Sequence, residues 1–341
     1  MITMKKKVAL ITGITGQDGA YLAQLLLKKN YKVYGTCRRS TSEKFTSLKH
    51  LNIDNKISYC DFDLLEFSNI LETIKKVQPT EIYNLAAQSF VPTSFNVPIV
   101  TTDINSLGAL RILEAIKISK RNIKFYQAST SEMFGKVTQI PQSEKTPFYP
   151  RSPYGVAKLY SHWITINYRE SYGIHASSGI LFNHESPLRG SEFVTKKVTS
   201  ALARIKKGSH EVLEVGNVLA KRDWGFAGDY VDAMHRMLQQ KNPDDYVIAT
   251  GKTHSVKDFI DLSLKYLEIK YKWIGKGLNT KVIDLDSGKT ILRINKKYFR
   301  PAEVDLLIGN PTKAKKNLKW KPTTKLKDLV KIMLDHDLKY N

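Results

Sequence analysis

The first half of the chain alternates short apolar runs with longer amphipathic stretches. Runs typical of buried strands cover residues 8–12, 31–36, 57–61, 81–86 and 123–128. Apolar residues recur at helical spacing over 20–29 and 67–77, as in Leu22, Leu25 and Leu26. Strands separated by helices indicate βαβ units and a parallel sheet with helices on both faces. The pattern predicts an α/β fold with a doubly wound parallel sheet, the Rossmann arrangement.

The rhythm changes after residue 183, where turn residues become denser and strands and helices no longer alternate cleanly. A chain of 341 residues suits one large domain or two modest ones. We therefore expect a dinucleotide-binding domain over 1–182, to which roughly 226–252 return. A smaller mixed α/β substrate-binding domain would cover 183–225 and 253–341.

A glycine-rich loop follows the first predicted strand and opens the first predicted helix. Its sequence is Gly13-Ile14-Thr15-Gly16-Gln17-Asp18-Gly19. Glycines allow a tight turn and a close approach of the backbone to a pyrophosphate, and the helix N-terminus presents free N–H groups. The motif predicts a dinucleotide-binding loop, with a purely structural turn as the alternative.

The end of the second strand bears on which dinucleotide binds. An acidic residue there would bind a ribose 2′-hydroxyl, whereas arginine accommodates a 2′-phosphate. The sequence has Arg38 and Arg39 and no acid, which favours NADP over NAD; two surface arginines are the alternative. Asp63 and Leu64 follow the third strand, where a carboxylate and an apolar side chain suit an adenine.

Tyr154 and Lys158 stand four residues apart and therefore lie on one face of a helix. A neighbouring ammonium and a nicotinamide cation both favour tyrosinate, so we expect the pKa of Tyr154 to fall from about 10 towards neutrality. Tyr154 would then take a proton from a sugar hydroxyl while hydride leaves the same carbon. A surface pair is the alternative interpretation of this spacing.

The fifth strand leads into Ser129-Thr130-Ser131-Glu132, at the sheet edge where doubly wound folds bind ligands. Thr130 can hydrogen-bond the reacting hydroxyl. Reductases and epimerases need only such a donor, whereas a carboxyl group can also remove a proton from carbon and deliver one to a leaving hydroxyl. Glu132 therefore favours a dehydratase, unless it only caps the segment or pairs with a lysine.

Composition narrows the class of protein further. No run of about 18 apolar residues predicts a membrane span, and no signal-peptide pattern opens the chain. The two cysteines, Cys37 and Cys60, are too few for a disulfide framework or a metal cluster, so we expect a reducing cytoplasm and no metal. The net charge of +22 raises a nucleic-acid partner as an alternative. The lysines are scattered, however, which favours charges on solvated helix faces. An anionic substrate would also benefit from the positive field.

Six short stretches, in order along the chain, resemble those of a known family. They are the glycine loop, Gln127-Ala128-Ser129-Thr130-Ser131-Glu132, Ser152-Pro153-Tyr154, Leu181-Phe182-Asn183-His184-Glu185-Ser186-Pro187, Arg222-Asp223-Trp224-Gly225 and Tyr298-Phe299-Arg300-Pro301-Ala302-Glu303. From Lys7 to about Lys331 the chain resembles the GDP-mannose 4,6-dehydratases, which are extended short-chain dehydrogenase/reductases.

The resemblance implies a role for each matching position. The catalytic positions are Thr130, Glu132, Tyr154 and Lys158, the last as a contact to the cofactor ribose. The implied NADP contacts are Gly13, Ile14, Thr15, Gly16, Gln17, Asp18, Gly19, Arg38, Asp63, Leu64, Leu85, Ala86, Ala87, Gln88, Ser89, Val100, Tyr154, Lys158, His184 and Arg189. The implied substrate shell comprises Ser89, Glu132, Asn183, Val194, Lys197, Arg222, Arg300 and Glu303. Arg300 and Glu303 can also be interpreted as a surface pair.

The resemblance further implies the reaction and the assembly. A GDP-activated manno-configured sugar would lose water and become a GDP-4-keto-6-deoxy sugar. Hydride would move internally from C4 to C6 through NADP, without external reductant. Relatives form dimers through a helix bundle and often tetramers, so we expect a homodimer or homotetramer.

Four positions depart from the family pattern. Relatives often have a tyrosine where this chain has Val100, smaller or polar residues at Phe90 and Pro92, and a histidine at Phe226. Phe90, Pro92 and Phe226 leave GDP-manno-heptose open as the substrate beside GDP-mannose. A nucleotide-sugar epimerase and a non-catalytic NADP-binding sensor are further alternatives. Glu132 counts against the first, and the complete catalytic set counts against the second.

Overall fold

The computed structural model describes residues 6–38, 45–299 and 306–340. Its first half alternates strands and helices. In chain order the elements are β1 (Val8–Thr12), α1 (Gln17–Lys28), β2 (Lys32–Cys37), α2 (Thr46–His50), β3 (Ser58–Asp61), α3 (Phe67–Val77), β4 (Glu81–Asn84), α4 (Val91–Asn96), α5 (Pro98–Thr102), α6 (Gly108–Ser119), β5 (Lys124–Thr130), α7 (Pro153–Tyr172) and β6 (Ala176–Leu181). A π-helical turn, Asp103–Leu107, joins α5 to α6.

The second half of the chain has shorter strands. Its elements are β7 (His184–Glu185), α8 (Val194–Lys206), β8 (Leu213–Val215), β9 (Lys221–Arg222), β10 (Gly225–Phe226), α9 (Ala227–Leu238), β11 (Tyr246–Ile248), β12 (His254–Ser255), α10 (Val256–Tyr266), β13 (Tyr271–Ile274), β14 (Lys281–Asp284), β15 (Thr290–Ile294) and α11 (Leu326–Tyr340). Within the described residues, none of the helices combines the length and the apolar character that crossing a membrane requires.

Seven strands form one parallel sheet in the order β11-β6-β5-β4-β1-β2-β3. The chain moves outward from β1 to β3 and then crosses back to β4, on the other side of β1. The carboxyl ends of β1 and β4 therefore flank the switch point, where doubly wound sheets bind ligands. The predicted doubly wound sheet is confirmed.

Alternate residues of the central strands enter two different cores. Leu10 and Ile82 belong to the core shared with α3 and α6, whereas Ile11 and Tyr83 belong to the core shared with α1 and α9. Successive strand residues face opposite sides of a sheet, and both sides are covered here. This is why the strands are continuously apolar instead of alternating.

A second core unit lies in the later part of the chain. The four-stranded sheet β13-β14-β15-β8 packs with α8, α10 and α11 around residues such as Phe259 and Leu292. The division into two domains stays a prediction. Ala314, Leu318 and Trp320 belong to a core of the main sheet, although the predicted boundary places them in the substrate-binding domain.

Element ends follow local hydrogen bonding. The predicted spans 8–12 and 67–77 coincide with β1 and α3. The apolar pattern extends the fourth strand to residue 86, but β4 ends at Asn84. The reason is that Leu85 N–H and Ala86 N–H both donate to the Thr12 hydroxyl, at 3.0 Å, instead of continuing the sheet.

A buried histidine contributes to the packing behind the sheet. His235 of α9 contacts the Tyr31 hydroxyl through Nε2 at 3.3 Å, and Tyr31 donates to the buried Glu81 carboxylate. Burial lowers the pKa of His235 to about 4, and the charge of Lys29 acts in the same direction. The imidazole is therefore neutral in the folded protein at neutral pH.

We predict that His235→Gln flattens the acid limb of the stability profile. The unfolded chain binds this proton near pH 6.5 and the folded protein only near pH 4, so the stability that the neutral imidazole contributes is lost as pH falls through that window. Between pH 6.5 and pH 4, the free energy of unfolding should therefore fall less for the variant than for the wild type, by on the order of 2 kcal/mol. Urea unfolding at several pH values measures this, with the exposed His210→Gln as the control. Parallel profiles for the wild type and His235→Gln would contradict the prediction.

Candidate active site

The glycine loop connects β1 to α1 and packs tightly against its surroundings. Gly13 has a φ of +70°, and a Cβ there would lie 2.9 Å from Ala86 N. A Cβ on Gly19 would lie 2.4 Å from Gly13 O. Gly16 differs, because a Cβ would meet only Gly13 O, at 3.5 Å. The loop therefore presents bare backbone at Gly16, beside the N-terminus of the 12-residue helix α1.

The first turn of α1 is tied to the segment that follows β6. Gln17 Nε2 donates to the His184 carbonyl at 2.9 Å, and the Ser186 hydroxyl donates to Gln17 Oε1 at 2.8 Å. The Asp18 carboxylate pairs with His184 Nε2 at 2.8 Å, and His184 Nδ1 contacts the Phe182 carbonyl at the same distance. These side chains hold the glycine loop to β7.

The Asp18–His184 pair is shielded from solvent. Burial disfavours the charged imidazole, but the Asp18 carboxylate outweighs it and raises the pKa of His184. Burial likewise disfavours the charged carboxylate, but His184 and Arg189 outweigh it and lower the pKa of Asp18. Each partner stabilises the charged form of the other.

A row of amide and hydroxyl side chains crosses the carboxyl ends of the central strands. Thr12 Oγ1 donates to Asn84 Oδ1 at 2.8 Å, and Asn84 Nδ2 donates to Gln127 Oε1 at 2.8 Å. Gln127 Nε2 in turn donates to the Ala128 carbonyl at 3.0 Å. This polar row is buried and fixes the ends of β1, β4 and β5 relative to one another.

The structure brings Thr130, Glu132 and Tyr154 together at the end of β5. The Thr130 hydroxyl accepts from Glu132 N–H at 3.2 Å, and it lies close enough to the Tyr154 hydroxyl to lower the pKa of Tyr154. Glu132 lies close enough for its charge to act on the Tyr154 hydroxyl. Tyr154 sits in the first turn of α7, where the Ser152 hydroxyl accepts from Gly155 N–H at 3.0 Å and caps the helix.

Lys158 lies one turn further along α7 and is also buried. Its Nζ donates to the Ala128 carbonyl at 2.9 Å and lies 6.0 Å from the centre of the Tyr154 ring. Burial lowers the pKa of Lys158 to about 8, against the opposing charge of Asp18. Because Ala128 also accepts from Gln127, Lys158 is joined to the polar row.

The expected fall of the Tyr154 pKa is not produced by the protein groups alone. Burial raises the pKa of Tyr154 to about 12; the Thr130 hydroxyl and Arg189 oppose this, while Glu132 reinforces it. The expected fall also depends on a nicotinamide cation, so it stays a prediction for the protein with its cofactor bound. The Lys158 ammonium donates to a backbone carbonyl, and desolvation of the tyrosine is the largest effect on its pKa.

The residues predicted to contact the cofactor ribose and adenine follow β2 and β3. Arg38 is exposed immediately after β2, and Arg39 lies outside the described residues. Asp63 Oδ1 accepts from Leu65 N–H at 3.0 Å. The buried Leu64 packs against the first residue of α6, a glycine whose Cβ would lie 3.1 Å from it.

The segment 85–89 follows β4 and is held by a residue that sequence reasoning missed. Asn105 of the π-helical turn accepts from Gln88 N–H through Oδ1 and donates to the Gln88 carbonyl through Nδ2, both at 2.9 Å. Nothing in the sequence distinguishes it, because polar residues such as Asp103 and Ser106 surround it in the chain. Ser89 is exposed beyond this anchor, and Val100 is half-exposed on α5.

Arg189 lies between β7 and α8. Its Nε pairs with the buried Glu185 carboxylate at 3.0 Å, and Glu185 also accepts from the Thr195 hydroxyl at 2.5 Å. The charge of Arg189 acts on Tyr154 and His184. Sequence reasoning named Arg189 but missed Glu185, because nothing in the spacing distinguishes it from other glutamates.

The predicted substrate shell lies mainly on the later elements. The Asn183 carbonyl accepts from Gly225 N–H at 2.9 Å, which brings the segment of the buried Arg222 next to β7. Val194 begins α8, and Lys197 follows in the same turn.

Two further predicted contacts belong to the segment after Phe299. Lys197 Nζ lies 3.5 Å from the centre of the Tyr298 ring, so the chain passes α8 just before that segment begins. Arg300 and Glu303 themselves lie outside the described residues.

The positions that depart from the family pattern occupy different surroundings. The Phe90 ring meets Phe193 edge to face at a centroid distance of 5.5 Å. Phe226 meets Tyr21 of α1 in the same manner at 5.4 Å. Pro92 lies in the first turn of α4.

In the described part of the chain, no group of three or more His, Cys, Asp or Glu is arranged to hold a metal ion.

The fold and the arrangement of the site are those of the extended short-chain dehydrogenase/reductase class. The sheet order, the glycine loop at the switch point and the Tyr154–Lys158 pair carry this assignment. The family model of GDP-mannose 4,6 dehydratase matches residues 10–333. The chain belongs to this family.

Individual relatives agree with the family model. The chain is 50% identical to the GDP-mannose 4,6 dehydratase of Drosophila melanogaster, over 98% of this chain and 87% of that one. It is also 50% identical to the GDP-mannose 4,6-dehydratase of Sinorhizobium fredii (strain HH103), over 98% and 97% of the two chains.

Solved structures share the fold at much lower identity. RMD from Pseudomonas aeruginosa, complexed with NADPH, has a TM-score of 0.77 and 22% identity, and the match covers 98% of this chain and 99% of that one. The dTDP-glucose 4,6-dehydratase of Bacillus anthracis str. Ames, in complex with NAD, has a TM-score of 0.80 and 18% identity over 98% and 97%.

We predict that Asn105→Ala loosens segment 85–89. The substitution leaves the Gln88 N–H and carbonyl without their partner, so the free energy of unfolding should fall by about 1–3 kcal/mol. Affinity for NADPH, measured by fluorescence titration, should fall about tenfold, because the segment is no longer held at the sheet edge. The exposed Asn96→Ala is the control. Wild-type affinity in a destabilised Asn105→Ala would contradict a role of Asn105 at the cofactor site.

Proposed function

We propose that this protein is an NADP-dependent 4,6-dehydratase of a GDP-activated manno-configured sugar, with GDP-mannose as the substrate. The single observation that carries the proposal is the convergence of Thr130, Glu132 and Tyr154 at the end of β5. A hydroxyl donor, a carboxyl group and a phenol in one place supply the proton transfers that oxidation, elimination and reduction of one sugar require. Membership of the family supports the same reaction.

The residues at the switch point fit a dinucleotide. A Cβ has no room at Gly13 or Gly19, and Gly16 leaves the backbone open, which is the cradle that a pyrophosphate needs. Arg38 at the end of β2 would hold a 2′-phosphate, and it is the reason for proposing NADP. When bound, NADP supplies a reversible hydride acceptor for the sugar. The solved neighbours include proteins with either NADPH or NAD, so the cofactor choice rests on Arg38.

The chain's own residues move the protons. Tyr154, with Thr130 beside it, would accept the proton of the C4 hydroxyl as that carbon becomes a ketone. The ketone makes the C5 proton acidic, and Glu132 removes it. Glu132 then gives that proton to the departing C6 hydroxyl, which leaves as water. When the hydride returns to C6, C5 regains a proton, and the proton that Tyr154 took from the C4 hydroxyl balances it. Lys158 would bind the ribose of the cofactor, and its hydrogen bond to the Ala128 carbonyl supports a fixed position for its ammonium.

The later elements would hold the GDP part of the substrate. Lys197 and Arg222 bring cationic groups to α8 and β9, and arginine suits a diphosphate because it can bind two oxygens at once. Arg300 and Glu303 belong to the same proposal on the resemblance alone. The domain division 1–182 with 226–252, against 183–225 with 253–341, would place most of the implied cofactor contacts on the first domain and most of the implied substrate contacts on the second.

We further propose that the protein is a homo-oligomer. Val156, Tyr160 and Trp163 recur at i, i+4 and i+7 on α7, and each remains substantially exposed. Such an apolar row on a surface helix is typical of a helix that packs against another copy.

GDP-manno-heptose is a second candidate substrate. The observation that favours it is Phe90, which packs against Phe193 and so brings an aromatic pair to the neighbourhood of Arg189. The reaction would be the same, with a carbon substituent retained on C6.

We predict that the purified protein removes one water from GDP-mannose without added reductant. A mass-resolved turnover assay on GDP-mannose and GDP-manno-heptose, supplied separately, measures both rates. A higher rate on GDP-mannose is expected; a higher rate on the heptose would replace it as the substrate. Turnover of neither, in protein that binds NADPH, would overturn the dehydratase proposal and favour an epimerase or a sensor.

We predict that Glu132→Gln separates oxidation from elimination. The amide keeps the shape of the side chain but cannot take the C5 proton, so loss of water should slow by at least about 100-fold. Oxidation at C4 should persist. It would be measured as NADPH absorbance that accumulates while no deoxysugar product forms. Glu170→Gln, on the exposed face of α7, is the matched control. Dehydration at the wild-type rate in Glu132→Gln would remove Glu132 from the mechanism.

A further inference from the structure

Two aromatic rings meet between the main sheet and α8. Phe90 precedes α4, in the chain that leaves β4, and Phe193 precedes α8. Their rings meet edge to face, with centroids 5.5 Å apart and an interplanar angle of 78°. Edge-to-face contacts of this kind are favourable and directional. The contact therefore connects the sheet edge to the segment that carries Arg189.

Phe193 also contacts Arg189 directly. The Arg189 Cζ lies 3.5 Å from the centre of the Phe193 ring, so the guanidinium is stacked on the ring face. The Nε of the same guanidinium pairs with Glu185 at 3.0 Å. Glu185 is buried and is itself held by Thr195. The face of the Arg189 guanidinium thus contacts the Phe193 ring, and its Nε lies beside the Glu185 carboxylate.

We propose that Phe193 is a positioning residue that holds the Arg189 guanidinium towards Tyr154, and that Phe90 braces Phe193 from the sheet side. The proposal rests on the proposed function, because it assigns these rings a task in that reaction. It accounts for the stacking of Arg189 on a ring, which the ion pair with Glu185 alone would not require.

The direction of the effect follows from the charges around Tyr154. Among the described residues, the groups with the largest effects on its hydroxyl include Thr130, Glu132, Asp18 and the cation Arg189. Arg189 lowers the pKa of Tyr154 against the larger effect of burial, which raises it. A guanidinium that moves away would leave tyrosinate less stabilised, so proton removal from the sugar would require a higher pH.

Lys158 is the other cation near this ring. Its Nζ lies 6.0 Å from the ring centre, but it donates to the Ala128 carbonyl and is held there. Movement of the Phe193 ring therefore changes the position of Arg189 and leaves Lys158 where it is.

The test compares Phe193→Leu with Phe193→Tyr, which keeps the aromatic face. We expect Phe193→Leu to lower kcat on GDP-mannose about tenfold at neutral pH and to move the acid limb of the kcat–pH profile to higher pH. Phe193→Tyr should keep both kcat and the kcat–pH profile at their wild-type values. Phe90→Leu should move the profile in the same direction by a smaller amount, whereas Phe95→Leu, an exposed change on α4, should leave it unchanged.

Phe90→Leu keeps the proposal testable if Phe193→Leu does not fold. A merely structural role would lower the melting temperature of both leucine variants without moving their pH profiles, and that result would overturn the proposal. So would equal profiles for Phe193→Leu and Phe193→Tyr. Failure of the proposed function is a different result, because the wild type itself would then leave GDP-mannose unchanged.

Discussion

The buried polar row at the carboxyl ends of β1, β4 and β5 is the constraint on which the site depends. Thr12, Asn84 and Gln127 satisfy one another through their side chains, and Thr12 also accepts the two N–H groups that follow β4. A parallel sheet leaves such groups unpaired where its strands end, and an unpaired buried polar group costs about 1–3 kcal/mol. Satisfying them by side chains ends the strands at defined residues, and this sets where the glycine loop and the segment after β4 begin. Lys158 joins the row through the Ala128 carbonyl, so the position of α7 is determined by the same hydrogen bonds.

A second set of restraints brings charge to the place that the row defines. Asp18 pairs with His184, and Arg189 pairs with Glu185, so two ion pairs connect α1 and the chain before α8 through the short strand β7. Ion pairs shielded from water are costly unless each charge is well compensated. Here the Phe182 carbonyl and the Thr195 hydroxyl give His184 and Glu185 one further hydrogen bond each. Among the described residues, Asp18 Oδ1 and Arg189 Nε are buried without a hydrogen-bond partner, so the compensation is partial. The arrangement ties the glycine loop to the chain that leads towards the substrate elements, and it does so beside Tyr154.

The sheet could be predicted because its signals are local. Apolar runs and helical spacing alone identify β1 and α3, and the place of the glycine loop between a strand and a helix identifies the loop. The end of β4 could not be predicted, since it depends on the Thr12 hydroxyl, 72 residues away in the chain from Asn84. Asn105 and Glu185 were missed for the same reason: their partners are determined by the tertiary fold, not by spacing. The rise that burial causes in the Tyr154 pKa could not be predicted either, because a sequence places a lysine near a tyrosine but does not give the desolvation of either.

Burial is the common cause of the electrostatics at Tyr154 and Lys158. It raises the pKa of the phenol to about 12 and lowers that of the ammonium to about 8, so the dry site disfavours the charged form of both. A tyrosine that must lose its proton therefore benefits from positive charge close by, and Lys158 Nζ lies 6.0 Å from the centre of its ring. Arg189 is a cation that acts on Tyr154. Its guanidinium lies beside the Glu185 carboxylate and stacks on the face of the Phe193 ring. Burial makes tyrosinate costly, and it also strengthens the effect of each nearby charge on the tyrosine. The position of a single arginine therefore matters for the chemistry.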